Sequence, residues 1–545
     1  MSEMKDVCVI GTGAAGGVWI DACTRAGLDV VALERGPHLG PSDFRQHDEL
    51  SNVHRGTGFA PTWQDTTRDH AAQVAQLGRS TMLARCVGGG TAHWGSWCWR
   101  FREDDFEVLS SEGPVEGANL ADWPISYAEL APFYDAAEAR LGLAGQASAN
   151  PSGPPRHGGY PNPPHPPRRA TQLIAMGAKK LGLHPFPTPM AINSRPYQGR
   201  AACINGGMCA NFGCPVHAKA STLAIHVPAA LATGHLDLRP DTRVIELVTG
   251  KDGRVLAART LDASGRENEV RARTFVLACG GIGSAQLLLS SRSARHPDGL
   301  ANGSGLVGRN LMFHNFTFVF FELPEPSLAA LGPAGMVAID DLHPSDASRG
   351  FIRGAVLGES AESGPIWSAY KAPGYLGENT RAWGKPLKDY LRRYPYLDGM
   401  IAVGEDLPQL DNRIDLDPTH VDAEGFPLAR ITYESHPNDR ALHDFFDARL
   451  HEIALAAGAT KSWSFDTSHT KGGTGHIMGT CRMGNDPNES VVDRWCRSHE
   501  VPNLYIPDGG CFPTSGGYNP TLTIFANAAR TAAHFLESIA RKETA

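Results

Sequence analysis

The start of the chain holds the feature that most constrains the fold, a short apolar strand followed at once by a glycine-rich turn. The strand covers Val7–Ile10, and the turn runs from Gly11 to Gly16 in the pattern Gly-x-Gly-x-x-Gly before a small-residue helical pattern. A second apolar run, Val30–Leu33, ends at Glu34. The order strand, turn, helix, strand and acid predicts the βαβ unit of a dinucleotide-binding domain.

Each position in this unit has a physical reason. Gly11 permits the tight turn, Gly13 lets the backbone approach a pyrophosphate, and Gly16 lets the helix pack close to the strand. The helix N-terminus at Ala14 and Ala15 offers N–H groups to the phosphates. The alternative, an ordinary glycine-rich turn, does not explain why an acid closes the second strand.

We expect Glu34 to accept hydrogen bonds from both ribose hydroxyls, with Arg35 beside it in the nucleotide site. The motif alone does not choose between FAD and a nicotinamide dinucleotide, since both are bound by such units.

Composition excludes several classes of protein. The chain has 545 residues with 50 basic and 58 acidic side chains, a net charge of −8, and no basic run that would indicate nucleic-acid binding. We find no apolar stretch of the roughly 18–20 residues that a membrane helix needs. Because the first strand begins at Val7, we expect no signal peptide and a cytoplasmic location.

Further motifs recur along the chain. Arg273–Ala278 is an apolar strand followed by a glycine-rich turn and a helical pattern, which indicates a return to the nucleotide sheet. Residues 37–85 are polar and irregular and predict loop and short helix, whereas residues 312–465 alternate apolar and polar in short runs typical of an antiparallel sheet. A long helix is predicted from Leu522 to Arg541.

Taken together, the motifs resemble the glucose-methanol-choline (GMC) oxidoreductases, FAD enzymes that oxidise alcohols. The resemblance rests on the N-terminal unit and on Val87–Thr91, Ala278–Ser284, Val307–Leu311, His476–Gly484 and Asn519–Thr523. Within the family the chain is most similar to bacterial FAD-dependent sugar dehydrogenases, such as the catalytic subunits of glucose and fructose dehydrogenase. Asn193–Tyr197 and Val491–Trp495 carry that closer likeness.

The resemblance implies an α/β fold, α+β overall, in which a Rossmann-like FAD-binding domain is assembled from discontinuous segments. Its three parts are expected in residues 1–115, 221–311 and 466–545. Residues 116–220 would form a cap insertion that carries a cysteine segment. Residues 312–465 would form a substrate-binding domain with a mainly antiparallel sheet and helices.

Alcohol oxidation needs a base for the hydroxyl proton and an acceptor for the hydride, and histidine is a suitable base near neutral pH. His476 and Asn519 match the catalytic pair of the family. The resemblance therefore implies that His476 is the general base and that Asn519 holds the substrate oxygen. An isolated histidine is usually a surface or core residue, and only the motif distinguishes His476.

The resemblance also implies the flavin contacts. Besides the N-terminal unit, the predicted contacts are Gly88, Gly89, Gly90, Thr91, His93, Trp94, Val244, Asp508, Gly509, Asn519, Pro520 and Thr521. His93 matches a histidine that some relatives join covalently to the flavin, and the alternative is a histidine that only packs against it.

Three cysteines, Cys203, Cys209 and Cys214, form a cluster in sequence. Related sugar dehydrogenases bind an iron–sulfur cluster in this segment, and three thiolates could hold one. The spacing here departs from theirs, so structural thiols are the alternative.

Aromatic, carboxylate and amide side chains in the later segments favour a sugar, glycoside or polyol substrate, oxidised at a secondary or hemiacetal hydroxyl. The candidates are Trp94, Trp367, Tyr375, Trp383, Glu405 and Asn412, each of which could equally serve packing. Electrons would pass to a non-nicotinamide acceptor or a small partner subunit, and export with such a subunit would place the protein in the periplasm instead.

Four alternatives remain open at this stage. They are an oxidase that uses O2, a non-redox lyase of the same family, a nicotinamide-dependent dehydrogenase and an electron-transfer subunit without its own substrate.

Overall fold

The computed structural model describes residues 4–44, 49, 64–78, 83–207, 209–360, 364–377, 380–465 and 475–541. Within these ranges the α-helices are α1 (Ala14–Arg25), α2 (Val108–Glu112), α3 (Tyr127–Leu141), α4 (Arg169–Lys180), α5 (His226–Leu231), α6 (Gly280–Ser290), α7 (Pro365–Leu376), α8 (Gly384–Leu391), α9 (Pro437–Ala456) and α10 (Thr521–Ala540). The long helix predicted from Leu522 to Arg541 is confirmed as α10, shifted by one residue at each end. Ser126 caps α3 by accepting from the backbone N–H of Glu129.

The predicted nucleotide sheet is confirmed. Its strands are β1 (Lys5–Ile10), β2 (Val30–Leu33), β6 (Leu236–Arg239), β7 (Arg243–Thr249), β8 (Val255–Leu261), β9 (Glu267–Leu277) and β17 (Leu504–Tyr505). The order is β6-β2-β1-β9-β8-β7, and β17 also pairs with β9. β1 lies between β2 and β9, both parallel to it, and the last four residues of β1 are buried, as continuous apolar runs in parallel sheets require.

The second sheet is antiparallel, as the alternating pattern predicted. It contains β5 (Phe186–Pro187), β10 (Asn315–Glu322), β11 (Val337–Ile339), β12 (Ala355–Glu359), β13 (Leu397–Gly404) and β16 (Lys461–Phe465), in the order β16-β10-β13-β12-β11-β5. Leu442 and Phe446 of α9 pack with Val319 and Leu357 of this sheet in one buried cluster. Burial of these side chains fixes the helix on one face of the sheet.

A third sheet joins distant parts of the chain. β14 (Arg413–Val421) and β15 (Pro427–Thr432) form a hairpin, and β15 pairs in parallel with β3 (Asp65–Arg68), which pairs with β4 (Gln76–Gly78). The interpretation of residues 37–85 as loop and short helix is wrong for β3 and β4. These strands are short and polar, so only their pairing with β15 makes them strands.

The division into five segments stays a prediction, although these sheets show how the segments interleave. β10 begins just after the second nucleotide segment, and β5 adds residues from the 116–220 segment to the antiparallel sheet. Among the described residues, none of the helices combines the length and the apolar character that crossing a bilayer demands.

Candidate active site

The predicted nucleotide turn depends on glycines at positions where a side chain would collide with backbone. Gly11 has a φ of +92°, and a Cβ there would lie 2.4 Å from the carbonyl oxygen of Ala278. A Cβ on Gly16 would lie 2.0 Å from the carbonyl oxygen of Gly11. Because α1 begins at Ala14, the N–H groups of its first turn are directed at this turn. The turn therefore has the shape and the donors that suit a pyrophosphate.

Replacing Gly16 with valine is expected to abolish FAD retention, because a branched side chain at this contact would push α1 away from β1. The ratio of flavin to protein absorbance in the purified variant measures the effect. Gly158→Val is the matched control, since a Cβ at Gly158 meets no atom within 4 Å. Wild-type FAD content in the Gly16 variant, with normal circular dichroism, would contradict the assignment.

The second glycine segment lies directly against this turn. Gly88 donates its N–H to Oγ1 of Thr12 at 3.0 Å, and a Cβ on Gly89 would lie 2.9 Å from Cα of Gly13. Thr222 Oγ1 donates to the carbonyl oxygen of Thr12 at 2.8 Å. The two glycine-rich turns, Gly11–Gly16 and Gly88–Gly90, are thus held together and form one cradle of glycine backbone.

Glu34 closes β2 beside the same turn. Its Oε2 accepts from the N–H of Thr12 at 3.2 Å and from the hydroxyl of Thr12 at 2.8 Å, while Oε1 accepts from the N–H of Gly36 at 3.1 Å. Burial raises the pKa of this carboxyl. The backbone of Glu34 also accepts from the N–H of Thr242 at 2.8 Å, which brings the start of β7, with Val244, to this edge. Glycine backbone, a helix N-terminus and a buried acid fit a dinucleotide such as FAD.

Asp508 joins the C-terminal segment to α6. Its Oδ2 accepts from the N–H of Gly280 at 2.9 Å and from the hydroxyl of Ser284 at 2.6 Å, and its Oδ1 accepts from the N–H of Gly510 at 2.9 Å. The carboxylate therefore accepts hydrogen bonds at the N-terminus of α6 and stabilises that end of the helix. Gly509, next to it, packs so closely on the His476 segment that a Cβ would lie 2.8 Å from the carbonyl oxygen of Ile477.

His476 is placed by backbone bonds on both sides of its segment. Met478 and Met312 exchange both backbone hydrogen bonds at 3.0 Å, which ties the segment to the residues before β10. Cys481 donates its N–H to the carbonyl oxygen of Gly510 at 2.7 Å. These bonds hold the imidazole of His476 between the nucleotide domain and the antiparallel sheet.

The two predicted catalytic residues meet in space. Nε2 of His476 lies 3.4 Å from Nδ2 of Asn519, and both side chains are half-buried. Nδ1 of His476 lies 2.7 Å from Nδ1 of His314, and Nε1–H of Trp99 donates to Oδ1 of Asn519 at 2.8 Å. The arrangement leaves a histidine nitrogen and an amide group side by side, as proton abstraction from an alcohol requires.

Electrostatics favour a neutral His476. Burial, and then the neighbouring His314, hold the pKa of His476 well below its usual range. Burial lowers the pKa of His314 to about 4. Both imidazoles are therefore neutral near pH 7, and His476 can accept a proton.

The sequence analysis missed His314 and Trp99. His314 follows the apolar run Leu311–Phe313 and directly precedes β10, where a histidine looks like part of the core. Trp99 belongs to the aromatic run Trp94, Trp97, Trp99 and Phe101, and residue type alone does not indicate which of them contacts the catalytic pair. Only the motif Val307–Leu311, which ends three residues before His314, hinted that this part of the chain approaches the site.

Two further predicted flavin contacts, Pro520 and Trp94, lie at or against α10. Pro520 precedes Thr521, the first residue of α10. Trp94 donates Nε1–H to the carbonyl oxygen of Ala220 at 2.8 Å and packs on Phe525 of α10.

His93 is buried, three residues after the Gly88–Gly90 turn. Its Nε2 lies 3.6 Å from Sγ of Cys86.

Most of the side chains proposed to bind sugar form hydrogen bonds or ion pairs with other residues of the protein. Glu405 is buried and pairs with Arg353 at 3.1 Å, and Asn412 bonds the backbone of Glu434 through both its amide atoms. Tyr375 donates to Glu322 at 2.9 Å. The side chain of Trp367 lies outside the described residues, and Trp383 is exposed.

An aromatic residue that the sequence analysis did not single out does lie at the site. The ring of Phe316, in β10, is 5.2 Å from the imidazole of His476.

The three clustered cysteines are half-buried. Burial raises the pKa of the Cys203 thiol to about 11 and also raises that of Cys209. Lys219 donates to the carbonyl oxygens of Cys209 and Trp94 at 2.8 and 2.9 Å. Within the part of the chain that the structure describes, no three His, Cys, Asp or Glu side chains are placed to hold a metal ion. An iron–sulfur cluster at Cys203, Cys209 and Cys214 stays a prediction.

A dinucleotide cradle next to a histidine and an amide defines an oxidoreductase acting on CH–OH groups. Sequence models of the GMC oxidoreductase family match residues 9–316 and 408–528. The chain belongs to this family, as the motifs predicted. Family membership implies FAD as the cofactor.

Three characterised relatives align over nearly the whole chain. Paromamine 6'-oxidase of Streptomyces fradiae is 35% identical, with 99% of this chain and 93% of that protein covered. 2-methyl-1,2-propanediol dehydrogenase of Mycolicibacterium austroafricanum is 35% identical, with 97% and 94% covered. The fructose dehydrogenase large subunit of Gluconobacter japonicus is 29% identical, with 98% of each covered.

The fold is also found among solved structures. An FAD-dependent oxidoreductase from Chaetomium thermophilum superposes with a TM-score of 0.65 at 14% sequence identity, covering 99% of this chain and 100% of that chain. The likeness confirms the α/β architecture with its two principal sheets.

Proposed function

We propose that the protein oxidises a hydroxyl group of a sugar, glycoside or polyol, with His476 as the general base and FAD as the oxidant. The observation that carries the proposal is the contact between His476 Nε2 and Asn519 Nδ2 at 3.4 Å. An alcohol placed against these two groups gives its proton to Nε2 and receives a hydrogen bond from the amide.

When FAD is bound, it supplies the hydride acceptor, N5 of the isoalloxazine ring. The protein's own part is to orient the substrate carbon, hold the hydroxyl oxygen and take the proton. Neutrality of His476 at pH 7 supports this role, since a protonated imidazole could not act as a base.

The substrate class is supported by the relatives. Their names specify paromamine, 2-methyl-1,2-propanediol and fructose, which are all small compounds with more than one hydroxyl group. Phe316, half-buried beside His476, provides apolar surface against which the carbon face of such a compound packs.

Anaerobic mixing of the purified protein with a panel of substrates tests the proposal. The panel contains hexoses, aminoglycosides, short diols and, as a negative set, long aliphatic alcohols. We expect bleaching of the flavin spectrum by at least one polyhydroxylated compound. Absence of bleaching with every compound, or redox-neutral turnover with an unbleached flavin, would overturn the proposal.

A second candidate is an oxidase, which the name of the relative from Streptomyces fradiae favours. Once a reducing substrate is found, the reduced protein is mixed with O2. Fast reoxidation with stoichiometric hydrogen peroxide identifies an oxidase. Slow reoxidation, together with turnover on a quinone or a partner subunit, identifies a dehydrogenase.

The covalent link to His93 and the iron–sulfur cluster belong to this proposal as separate parts. Flavin colour that stays with acid-precipitated protein in the wild type, and not in a His93→Ala variant, would support the link. Iron and acid-labile sulfide bound to the protein, and lost in a Cys209→Ser variant, would support the cluster.

A further inference from the structure

Four hydrogen-bonded side chains form a series through the site: Trp99, Asn519, His476 and His314. The group at each end of the series can act in only one way, as a donor or as an acceptor. At one end, the indole of Trp99 can only donate, and it does so to Oδ1 of Asn519 at 2.8 Å. At the other end, the carbonyl oxygen of Ser515 can only accept, and it lies 3.1 Å from Nε2 of His314. The direction of every bond between them follows.

From the carbonyl end, His314 must carry its proton on Nε2. Since burial keeps His314 neutral at pH 7, its Nδ1 is a bare acceptor. The 2.7 Å contact between Nδ1 of His314 and Nδ1 of His476 then requires His476 to donate from Nδ1. A neutral His476 with a proton on Nδ1 has a bare Nε2.

From the indole end, the same result is reached independently. Because Oδ1 of Asn519 accepts from Trp99, the amide must turn Nδ2 toward Nε2 of His476. An amide nitrogen can only donate, so Nε2 of His476 is the acceptor in that 3.4 Å contact. Both ends of the series therefore select the same tautomer.

We propose that His314 is a positioning residue that fixes the proton of His476 on Nδ1 and so keeps Nε2 unprotonated, ready to accept the hydroxyl proton of the substrate. Trp99 does the same for Asn519 by fixing the orientation of its amide. In the reaction, the hydroxyl proton of the substrate moves to Nε2, and the imidazolium that forms is stabilised by the Nδ1–H bond to His314. This inference rests on the proposed function.

On the described elements around the pair, the other ionisable groups are engaged elsewhere. Asp406 accepts from Tyr433 and from the N–H of Phe313, Glu405 pairs with Arg353, and His343 contacts the carbonyl oxygen of Gly516 at 3.3 Å. Asp439, near Asp406, contacts the N–H of Leu407.

Two substitutions of similar size separate positioning from packing. His314→Leu fills the site without an acceptor, whereas His314→Asp places a carboxylate oxygen near the former Nδ1. We expect the rate of flavin reduction to fall about 10- to 100-fold in His314→Leu, because a buried donor loses its partner. His314→Asp should recover much of that loss.

The pH profile adds a second distinction. In His314→Asp the carboxylate stabilises the imidazolium of His476 and raises its pKa. The base must be unprotonated, so the rate should begin to fall at a higher pH than in the wild type. The dissociation constant of the substrate should stay within about threefold in both variants.

A packing role predicts the opposite order, because leucine is tolerated in a buried apolar setting and aspartate is not. Wild-type reduction by His314→Leu, or a lower rate in His314→Asp than in His314→Leu, would overturn the inference. FAD content and thermal midpoint show whether each variant is folded. Trp99→Phe is the second variant, with an expected loss of about three- to tenfold and retained FAD. A wild-type rate there would contradict its part of the series.

A measurement independent of activity separates this inference from the proposed function. Nitrogen-15 histidine spectra of the wild-type holoprotein, with the His476 signals assigned by their loss in a His476→Gln variant, report the tautomer directly. We expect a protonated Nδ1 and a bare Nε2. A proton on Nε2 refutes the inference even if a sugar reduces the flavin, and the expected tautomer supports it even if no tested compound does.

Discussion

His476→Ala is expected to lower the rate of substrate-driven flavin reduction by about 10²–10⁴-fold, the usual contribution of a general base. The loss should appear in the reduction step, because the proton has no acceptor once Nε2 is gone. Binding of FAD should be unaffected, since the nucleotide cradle of Gly11, Gly16 and Glu34 does not include this imidazole. Anaerobic stopped-flow absorbance at saturating substrate measures the rate.

His235→Ala is the matched control. His235 is partly exposed, pairs with Asp29 at 3.0 Å and adjoins the start of β2, the opposite end of that strand from Glu34. It should reduce its flavin at the wild-type rate. A His476→Ala protein that is as fast as this control, with full FAD content, would show that another group takes the proton.

The nucleotide-binding unit could be predicted from the sequence because the residues that define it lie close together in the chain. Glycines at fixed offsets, an apolar strand on each side and a closing acid all lie within one stretch of chain, and each residue type answers a backbone requirement there. The second glycine segment and the C-terminal loops became interpretable only through their motifs. The contact of the second glycine segment with the first turn, through Gly88 and Thr12, depends on long-range folding.

His314 shows why the rest of the site could not be predicted. Its role depends on a 2.7 Å contact with a residue 162 positions further along the chain, and no periodicity reports such a contact. Glu405 and Asn412 show the same limit from the other side, because the sequence left both a sugar contact and a packing role open. Their residue types suit a sugar, but residue type does not reveal whether a carboxylate or an amide is already satisfied inside the fold. The same limit explains β3, which is a strand only because β15 lies beside it.

Arg353→Met is expected to destabilise the protein by about 3–5 kcal/mol, the usual cost of removing one partner from a buried ion pair. Arg353 is fully buried and bonds Asp105, Glu405 at 3.1 Å and Asp104 at 3.2 Å. Methionine replaces only the aliphatic stem of the arginine and leaves Asp105 and Glu405, both fully buried, without their cation. Chemical unfolding followed by tryptophan fluorescence measures the change.

The size of this defect should depend on pH. Burial already raises the pKa of Asp105, and Arg353 opposes that rise. Without the arginine, the folded-state pKa moves further above the unfolded value. A carboxyl with a raised folded pKa destabilises the folded state as pH rises through the unfolded pKa. The difference between wild type and variant should therefore be larger at high pH, where the carboxyl of folded wild type is ionised, than at low pH, where it is protonated in both folded proteins. Arg266→Met, at an exposed ion pair with Asp262, is the control and should show little change at either pH.

The same substitution should also reach the active site. Oε1 of Glu405 accepts from the N–H of Gly516 at 3.2 Å, and the preceding residue, Ser515, holds His314 through its carbonyl oxygen. Once Arg353 is removed, the Glu405 carboxylate loses the cation that holds it in place, and its hydrogen bond to Gly516 is expected to weaken. Flavin reduction should slow in Arg353→Met even under conditions where the protein is fully folded. An unchanged rate in a destabilised but folded variant would show that the ion-pair cluster supports only the fold.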